Sequence, residues 1–102
     1  MAVMDSVLKE ELDRLRALRA RYAAERALLP HGSVVIKTKS GHPYAYRAYR
    51  KGHRVITDYV GPEASQQAKE LAARLKKRRD ITREIRALDS ETARLRKMIN
   101  AG

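Results

Sequence analysis

Apolar residues recur every three or four positions over residues 5–29, which is the spacing of one face of an α-helix. A side-chain oxygen of Asp5 or Ser6 could cap the start of this helix, because it can accept hydrogen bonds from free amides of the first turn. Pro30 ends the helix, since the residue before a proline is disfavoured in the helical conformation. The apolar positions are Leu8, Leu12, Leu15, Leu18, Tyr22, Leu28 and Leu29.

The pattern changes to alternation between residues 33 and 60, which is typical of β-strands. Three runs rich in β-branched and aromatic residues are separated by the turn sequences Ser40-Gly41 and Lys51-Gly52. They would form an antiparallel meander with one packed face and one solvated face. Which face is packed depends on the register of the strands, so the sequence leaves this open. The predicted strands are Ser33–Lys39, Tyr44–Arg50 and Arg54–Val60.

A second helical pattern follows Gly61-Pro62 and predicts a long helix over residues 63–99. Its latter half carries apolar or β-branched residues alternately four and three positions apart, the heptad spacing of a coiled-coil seam. The heptad positions are Ile81, Ile85, Leu88, Thr92, Leu95 and Ile99. Asp89-Ser90 could cap a new helix, so we expect any break of this helix at residues 89–90.

These elements predict an α+β fold, in which two long helices form an antiparallel coiled-coil hairpin and are joined by a three-stranded antiparallel β-meander. We expect a single domain over residues 1–102. Because the first helix is shorter than the second, the distal part of the second helix would project beyond it. The projecting heptad would then need another apolar partner, so we expect a homodimer. The dimer seam would consist of Ile81, Ile85, Leu88, Leu95 and Ile99.

Charge is unevenly distributed along the chain. The sequence holds 23 Lys and Arg residues against 12 Asp and Glu residues, which gives a formal net charge of +11. Residues 31–62 contain six basic residues and a single acidic one, Asp58, while residues 63–102 contain eleven basic and six acidic residues. An excess of this kind attracts polyanions. The predicted sheet and second helix should therefore carry the surface that meets a polyanion.

Several classes of function receive no support from the sequence. The chain has no cysteine, which excludes disulfides and thiolate metal sites. The three histidines fall in turns at opposite ends of the predicted meander, so we expect no metal site and no cofactor. Glycine-rich phosphate loops, nucleophile elbows and paired acidic motifs are missing, so we expect a protein that is not an enzyme. No apolar run is long enough to cross a bilayer, and we expect a cytoplasmic protein without a membrane partner.

Two groups of basic and aromatic residues are candidates for a nucleic-acid-binding site. Lysine and arginine neutralise phosphates, while tyrosine rings stack on bases. The alternative is structural, with tyrosines that pack the sheet on the helices and charges that form an ordinary solvated surface. The group in the predicted sheet comprises Lys37, Lys39, Tyr44, Tyr46, Arg47, Tyr49, Arg50, Lys51 and Arg54. The group on the second helix comprises Lys76, Lys77, Arg78, Arg79 and Arg83.

The central segment contains the pattern LPxGS followed by GxxYxYxxYRxGxxVxxxYxG, in which x is any residue. This pattern resembles the central segment of a family of small prokaryotic proteins without an established activity. The resemblance covers roughly residues 29–99 and implies an association with mobile elements. Many relatives carry a cysteine cluster near the first turn; this chain does not, so the resemblance implies no metal-binding role. More loosely, the predicted sheet is similar to the arm-binding domains of tyrosine-type integrases, which implies a sheet in the DNA major groove.

We therefore predict a small dimeric nucleic-acid-binding protein, with DNA favoured over RNA as its ligand. The alternative is a coiled-coil protein-interaction module, such as an inhibitor, an antitoxin or an adaptor, that acts on a protein partner. The two hypotheses differ in their response to salt. Affinity that falls steeply with salt is expected for a nucleic-acid ligand, whereas salt-insensitive co-purification of one defined protein is expected for the interaction module.

Overall fold

The computed structural model describes residues 2–101, and within them two helices flank three strands. The elements are α1 (Ala2–Ala27), β1 (Ser33–Lys39), β2 (His42–Lys51), β3 (Arg54–Pro62) and α2 (Gln66–Ala101). This arrangement confirms the predicted α+β class, and β1 has the predicted limits. The other strands are longer than predicted by one to two residues at one or both ends.

The ends of α1 differ from the predicted ones for local reasons. α1 starts at Ala2, so Asp5 lies inside its first turn instead of capping it. An acidic residue there interacts favourably with the free amides of the first turn. α1 ends at Ala27, where the Leu28 amide donates to the Glu25 carbonyl at 3.1 Å. A bond of this shorter spacing tightens a last helical turn and is common where an α-helix stops.

α2 begins at Gln66, three residues later than predicted, because β3 continues to Pro62. The Glu63 amide extends the sheet by donating to the Pro43 carbonyl at 3.1 Å. Ser65 is then the N-cap of α2, since its Oγ accepts a hydrogen bond from the amide three residues later at 3.2 Å. The helix therefore starts after Ser65, which caps it, and not directly after Pro62, where β3 ends.

α2 is continuous from Gln66 to Ala101, so the break expected at residues 89–90 does not occur. A cap at this point would need the Asp89 carboxylate to accept backbone amides of a new first turn. That carboxylate instead accepts hydrogen bonds from the Arg19 guanidinium, with 2.6 Å between Nε and the nearer oxygen. The same bond lowers the pKa of Asp89 below its ordinary value.

The three strands form one antiparallel sheet in the order β1-β2-β3. Ser40 and Gly41 connect β1 to β2, and both have positive φ, 52° and 79°. Two positive φ values in a two-residue connection define the type I′ turn, which matches the twist of a hairpin. Between β2 and β3 the register shifts: Ala45 pairs with Gly61, but Tyr46 pairs with Tyr59. One residue of β3 is therefore bulged out of the ladder.

The register assigns the strand residues to two faces, because side chains alternate across a sheet. The packed face carries Ala45, whose side chain is fully buried, and Val34, which lines a hollow with Ala72 and Leu75 of α2. The other face is the open face, on which Val55 remains 64% exposed. The packed face consists of Val34, Ile36, Ala45, Arg47, Tyr49, Lys51, Arg54, Ile56 and Asp58. The open face consists of Val35, Lys37, Lys39, Tyr44, Tyr46, Ala48, Arg50, Val55, Thr57 and Tyr59.

The chain forms two compact units. The sheet unit is Leu29–Arg79, which includes the three strands and the first part of α2, and its buried apolar side chains are Ala45, Ala68 and Leu75. The helical unit contains α1 and the part of α2 from Asp80 onward. The sequence prediction of a single domain over residues 1–102 stays a prediction.

Heptad residues of α2 pack against α1 of the same chain. In the helical unit Leu95 belongs to one apolar cluster with Leu12 and Leu15, and the half-buried Leu8, Leu88 and Ile99 pack against it. The predicted projection of the distal part of α2 beyond α1 is therefore wrong. Ile81 and Ile85, the first two heptad residues, are also buried.

Candidate nucleic-acid interface

Three tyrosines come together on the open face and form what we call the tyrosine patch: Tyr44, Tyr46 and Tyr59. The ring of Tyr59 lies 5.4 Å from that of Tyr46 and 6.1 Å from that of Tyr44, measured between centroids. The rings of Tyr46 and Tyr59 are inclined by 66°, an edge-to-face geometry that aromatic pairs prefer, and those of Tyr44 and Tyr59 are tilted by 56°. Together with Lys39 and Ser40 they line an open cavity of about 290 Å³.

Two lysines of β1 lie over one ring of the tyrosine patch. The Nζ atoms of Lys37 and Lys39 are 4.9 Å and 5.6 Å from the centroid of the Tyr46 ring. Both distances are within the range of cation–π attraction. A hydrogen bond with Tyr46 also raises the pKa of the Lys39 ammonium above its ordinary value. Two positive charges are thus held beside the cavity, on an exposed part of the sheet.

The strand residues of the open face include no acidic side chain. Glu63, which follows β3, lines a neighbouring cavity with Tyr44. The three strands contain one acidic residue, Asp58. The register places it on the packed face, opposite Arg47. Charge on the open face comes from Lys37, Lys39 and Arg50, all of them exposed. No carboxylate of the strands therefore balances these charges, and they can attract an anion from outside the sheet.

Arg47 and Tyr49, two of the predicted binding residues, have structural contacts on the packed face. The Arg47 Nε donates a hydrogen bond to the His31 carbonyl at 2.9 Å, and its guanidinium carbon lies 4.1 Å from the centroid of the Tyr49 ring. The imidazole of His31 packs edge-to-face on the same ring at 5.5 Å. These contacts attach the loop before β1 to the middle of β2.

Gly32, in the same loop, lies very close to the backbone of β2. Its φ is +112°, and an added Cβ would lie 2.3 Å from the Ala48 carbonyl oxygen. That distance is far below van der Waals contact, and the neighbouring atom belongs to the backbone. Only glycine permits the loop to pass so near β2.

The turn between β2 and β3 carries a separate group of exposed basic side chains. Lys51 and Arg54 are directly opposite each other in the register, with Gly52-His53 as the connection. Like charges in directly opposed positions destabilise a strand pair. Arg50 precedes this pair and belongs to the open face. The predicted sheet residues are therefore divided between the open face and the packed face, with Lys51 and Arg54 at the end of the packed face next to this turn.

The basic group predicted on α2 does not form one uniform surface either. The Arg78 guanidinium donates to the Leu29 carbonyl at 3.0 Å, and Arg79 lines the hollow next to Val34. Lys76 and Lys77 are exposed on the same stretch of helix. Arg83 belongs to the helical unit and forms an exposed ion pair with Asp80 at 2.9 Å.

Tyr59 is the residue of this site that the sequence prediction omitted. The register places it directly opposite Tyr46, and it is 57% exposed. Alternation in β3 indicates that Tyr59 lies on the same face as Val55 and Thr57. It does not show which residue of β2 stands opposite Tyr59.

Two further observations concern metal-binding groups and membrane-spanning helices. Within residues 2–101 the side chains of His, Asp and Glu form no group of three or more that could hold a metal ion. Among the same residues, neither helix is sufficiently long and apolar to cross a membrane.

The chain belongs to a protein family whose model, described as Domain of unknown function (DUF6788), matches residues 8–73. The matched segment includes most of α1, the whole sheet and the first turns of α2. It therefore contains the tyrosine patch and ends before the basic run that starts at Lys76. No match was found among curated proteins or among solved structures.

Proposed function

We propose that the protein binds nucleic acid through the open face of its sheet. The observation that supports this most directly is the pair of ammonium groups of Lys37 and Lys39 over the Tyr46 ring, on a face whose strand residues include no carboxylate. Phosphate would supply the missing negative charge, and the tyrosine patch offers rings on which a base can stack. We further propose that DNA is preferred to RNA.

The other predicted residues take different parts in this proposal. Arg50 lies on the open face and can add a phosphate contact. Lys51 and Arg54 belong to the packed face at the end of the sheet, so they would contact phosphate only where the ligand extends past the turn between β2 and β3. An anion there would relieve the repulsion between them. Arg47 and Tyr49 already contact protein atoms on the packed face, so we assign them to stability.

The test is a titration of fluorescent duplex DNA, single-stranded DNA and RNA at two salt concentrations. Changing Lys37 and Lys39 together to alanine removes two charges from the open face. The control changes Lys9 and Lys97, two exposed lysines of the helical unit, and leaves the same net charge, +11 less 2, or +9. We expect the first variant alone to lower the slope of log affinity against log salt, by roughly 1.4 for a single strand or 1.8 for a duplex.

Two outcomes would refute this proposal. One is the absence of binding to all three nucleic acids at about 50 mM salt, where phosphate contacts are strong. The other is an equal loss of affinity in the two double variants, since binding would then follow net charge and not the open face. Salt-insensitive co-purification of one defined protein would instead favour the protein-interaction module.

We propose that α1 and the part of α2 from Asp80 onward pack as an antiparallel coiled-coil hairpin. The order of their contacts supports this, since Arg19 bonds Asp89 and Arg26 bonds Thr82. A homodimer through the heptad also stays a prediction, and light scattering can check it. Because the heptad is buried within one chain, such a dimer would require α1 of each chain to pack on α2 of the other.

A further inference from the structure

The rings of the tyrosine patch are inclined to one another beside a wide, open cavity, which we call the cup. Tyr59 contacts both other rings, yet more than half of its surface is exposed. Inclinations of 56° and 66° mean that no two rings of the described pairs are parallel. A flat group that stacks on one ring would therefore meet the edge or the hydroxyl of its neighbour.

We propose that this cup is a subsite for one unstacked base of a single-stranded nucleic acid, with the adjoining phosphate held by Lys37 and Lys39. The inference rests on the proposed function and specifies its ligand. Every base has a π-face that can stack on tyrosine, so the subsite would accept different bases. The hydroxyl groups of Tyr44, Tyr46 and Ser40 add donors and acceptors for the edge of the base.

A duplex fits this geometry less well than a single strand. Bases of a duplex are stacked on each other, and moving one into a protein pocket costs a few kcal/mol in lost stacking and pairing. Bases of a single strand are already accessible, and proteins commonly bind them on aromatic side chains next to basic ones. The open face combines both kinds of side chain within one cavity, at Tyr46 and Lys39.

Charge around the cup supports a nucleotide and not an uncharged aromatic ligand. The two ammonium groups lie at 4.9 Å and 5.6 Å from the centre of the ring that forms one wall. Cation–π attraction and, for Lys39, the hydrogen bond with Tyr46 occupy these groups only in part, since an ammonium has three donors. The remaining donors can bind phosphate oxygens through charge-assisted hydrogen bonds.

The experiment compares three ligands of equal length, roughly twelve nucleotides, which is within the size that such sites cover. They are a single-stranded DNA, the same sugar-phosphate strand without bases, and a duplex. We expect the single strand to bind more tightly than the strand without bases by roughly 5- to 150-fold, the range that corresponds to stacking of one base. The chain has no tryptophan, so quenching of tyrosine emission provides a second readout.

Two alanine variants test whether the preference for a strand with bases depends on the tyrosine patch. Tyr59→Ala should bring the affinity for the single strand down to that for the strand without bases, whereas Tyr59→Phe, which keeps the ring, should not. Tyr44→Ala is the second variant and should act in the same direction. Val55→Ala changes a residue on the same face outside the cavity and should alter affinity less than about 2-fold, as expected for an exposed position.

The outcomes separate this inference from the proposed function. Equal affinity for strands with and without bases, or tighter binding of the duplex than of the single strand, would overturn the subsite and leave binding through the open face standing. Retention of the preference for bases in both alanine variants would also overturn it. Absence of binding to every ligand would refute the proposed function itself.

Discussion

The two faces of the sheet are built from the same residue types but use them differently. On the packed face Arg47 lies over Tyr49 and donates to the His31 carbonyl. On the open face Lys37 and Lys39 lie over Tyr46, and the strands provide no carboxylate there. A cation next to a tyrosine is thus a structural contact on one face and a candidate binding site on the other. The difference lies in the acceptor. Arg47 donates to a backbone carbonyl of the loop before β1, whereas Lys39 bonds the hydroxyl of Tyr46 within the tyrosine patch.

The largest expected effect distinguishes the faces by stability. Ala45 and Ala48 are alanines of the same strand on opposite faces, and Ala45 is fully buried. Ala45→Leu would insert three heavy atoms into a filled space and should lower the free energy of unfolding by about 1–3 kcal/mol. Ala48→Leu points to the open face and should change it by less than about 0.5 kcal/mol. Urea denaturation of both variants measures this difference.

Two results would contradict the assignment of the packed face and the open face. Equal losses of stability in the two variants would mean that the open face is also covered. A larger loss for Ala48→Leu would mean that the faces are exchanged, and the tyrosine patch would then lie inside the protein.

Arg47 provides the second comparison, between a cation that stabilises and cations that bind. Arg47→Ala removes the hydrogen bond to His31 and the contact with Tyr49, and should cost about 1–2 kcal/mol of unfolding free energy. Its effect on nucleic-acid affinity should not exceed that of Lys9→Ala, which removes one charge elsewhere. The double change of Lys37 and Lys39 to alanine should do the reverse, with weaker binding and almost unchanged stability. Thermal unfolding and titration of the same samples test both statements.

Arg47→Lys is the matched control, because it keeps the charge but not the planar guanidinium. It should lose part of the stability that Arg47→Ala loses and should bind nucleic acid like the natural chain. If Arg47→Ala were fully stable and bound nucleic acid poorly, Arg47 would be a binding residue and the distinction between the faces would fail.

Much of the fold was predictable because local patterns determine it. Alternation and turn residues predicted β1 with its observed limits, and the heptad included three buried residues of α2, Ile81, Ile85 and Leu95. The start of α2 was less predictable, because Glu63 and Ser65 both suit a first turn or a cap. Backbone pairing with Pro43 decided between them, and that pairing is a long-range contact.

The binding site was harder to predict, because it depends on register and on distant acceptors. Period-two alternation separated Tyr46 from Arg47, but nothing in the sequence showed which of them faced α2. The bulge in β3 determines that Tyr59 stands opposite Tyr46. The carbonyls that accept from Arg47 and Arg78 belong to residues 31 and 29, in a loop that gave no signal of this role. Residue type therefore identified the candidates but could not choose among them.

The smallest expected effect concerns the hydrogen bond between Lys39 and Tyr46. It raises the pKa of the Lys39 ammonium above the ordinary value of 10.5. Tyr46→Phe keeps the ring but removes the hydroxyl, so the pKa of Lys39 should fall toward that value. NMR titration of the side-chain signals next to the Lys39 nitrogen measures it.

The same bond predicts how stability depends on pH and provides a last comparison of the two faces. Because the pKa of Lys39 is raised in the folded chain, the bond contributes fully below the unfolded value, about 10.4. The contribution is lost as pH rises through the folded value. The natural chain should therefore exceed Tyr46→Phe in melting temperature by a small, nearly constant amount up to about pH 10, and by less as pH rises above about 10.5. Tyr49→Phe, the same change on the packed face, should leave the Lys39 titration unaltered. An equal shift of the Lys39 pKa in both variants would mean that the hydrogen bond with Tyr46 is not its cause. The position of Lys39 beside the tyrosine patch would then lack this support.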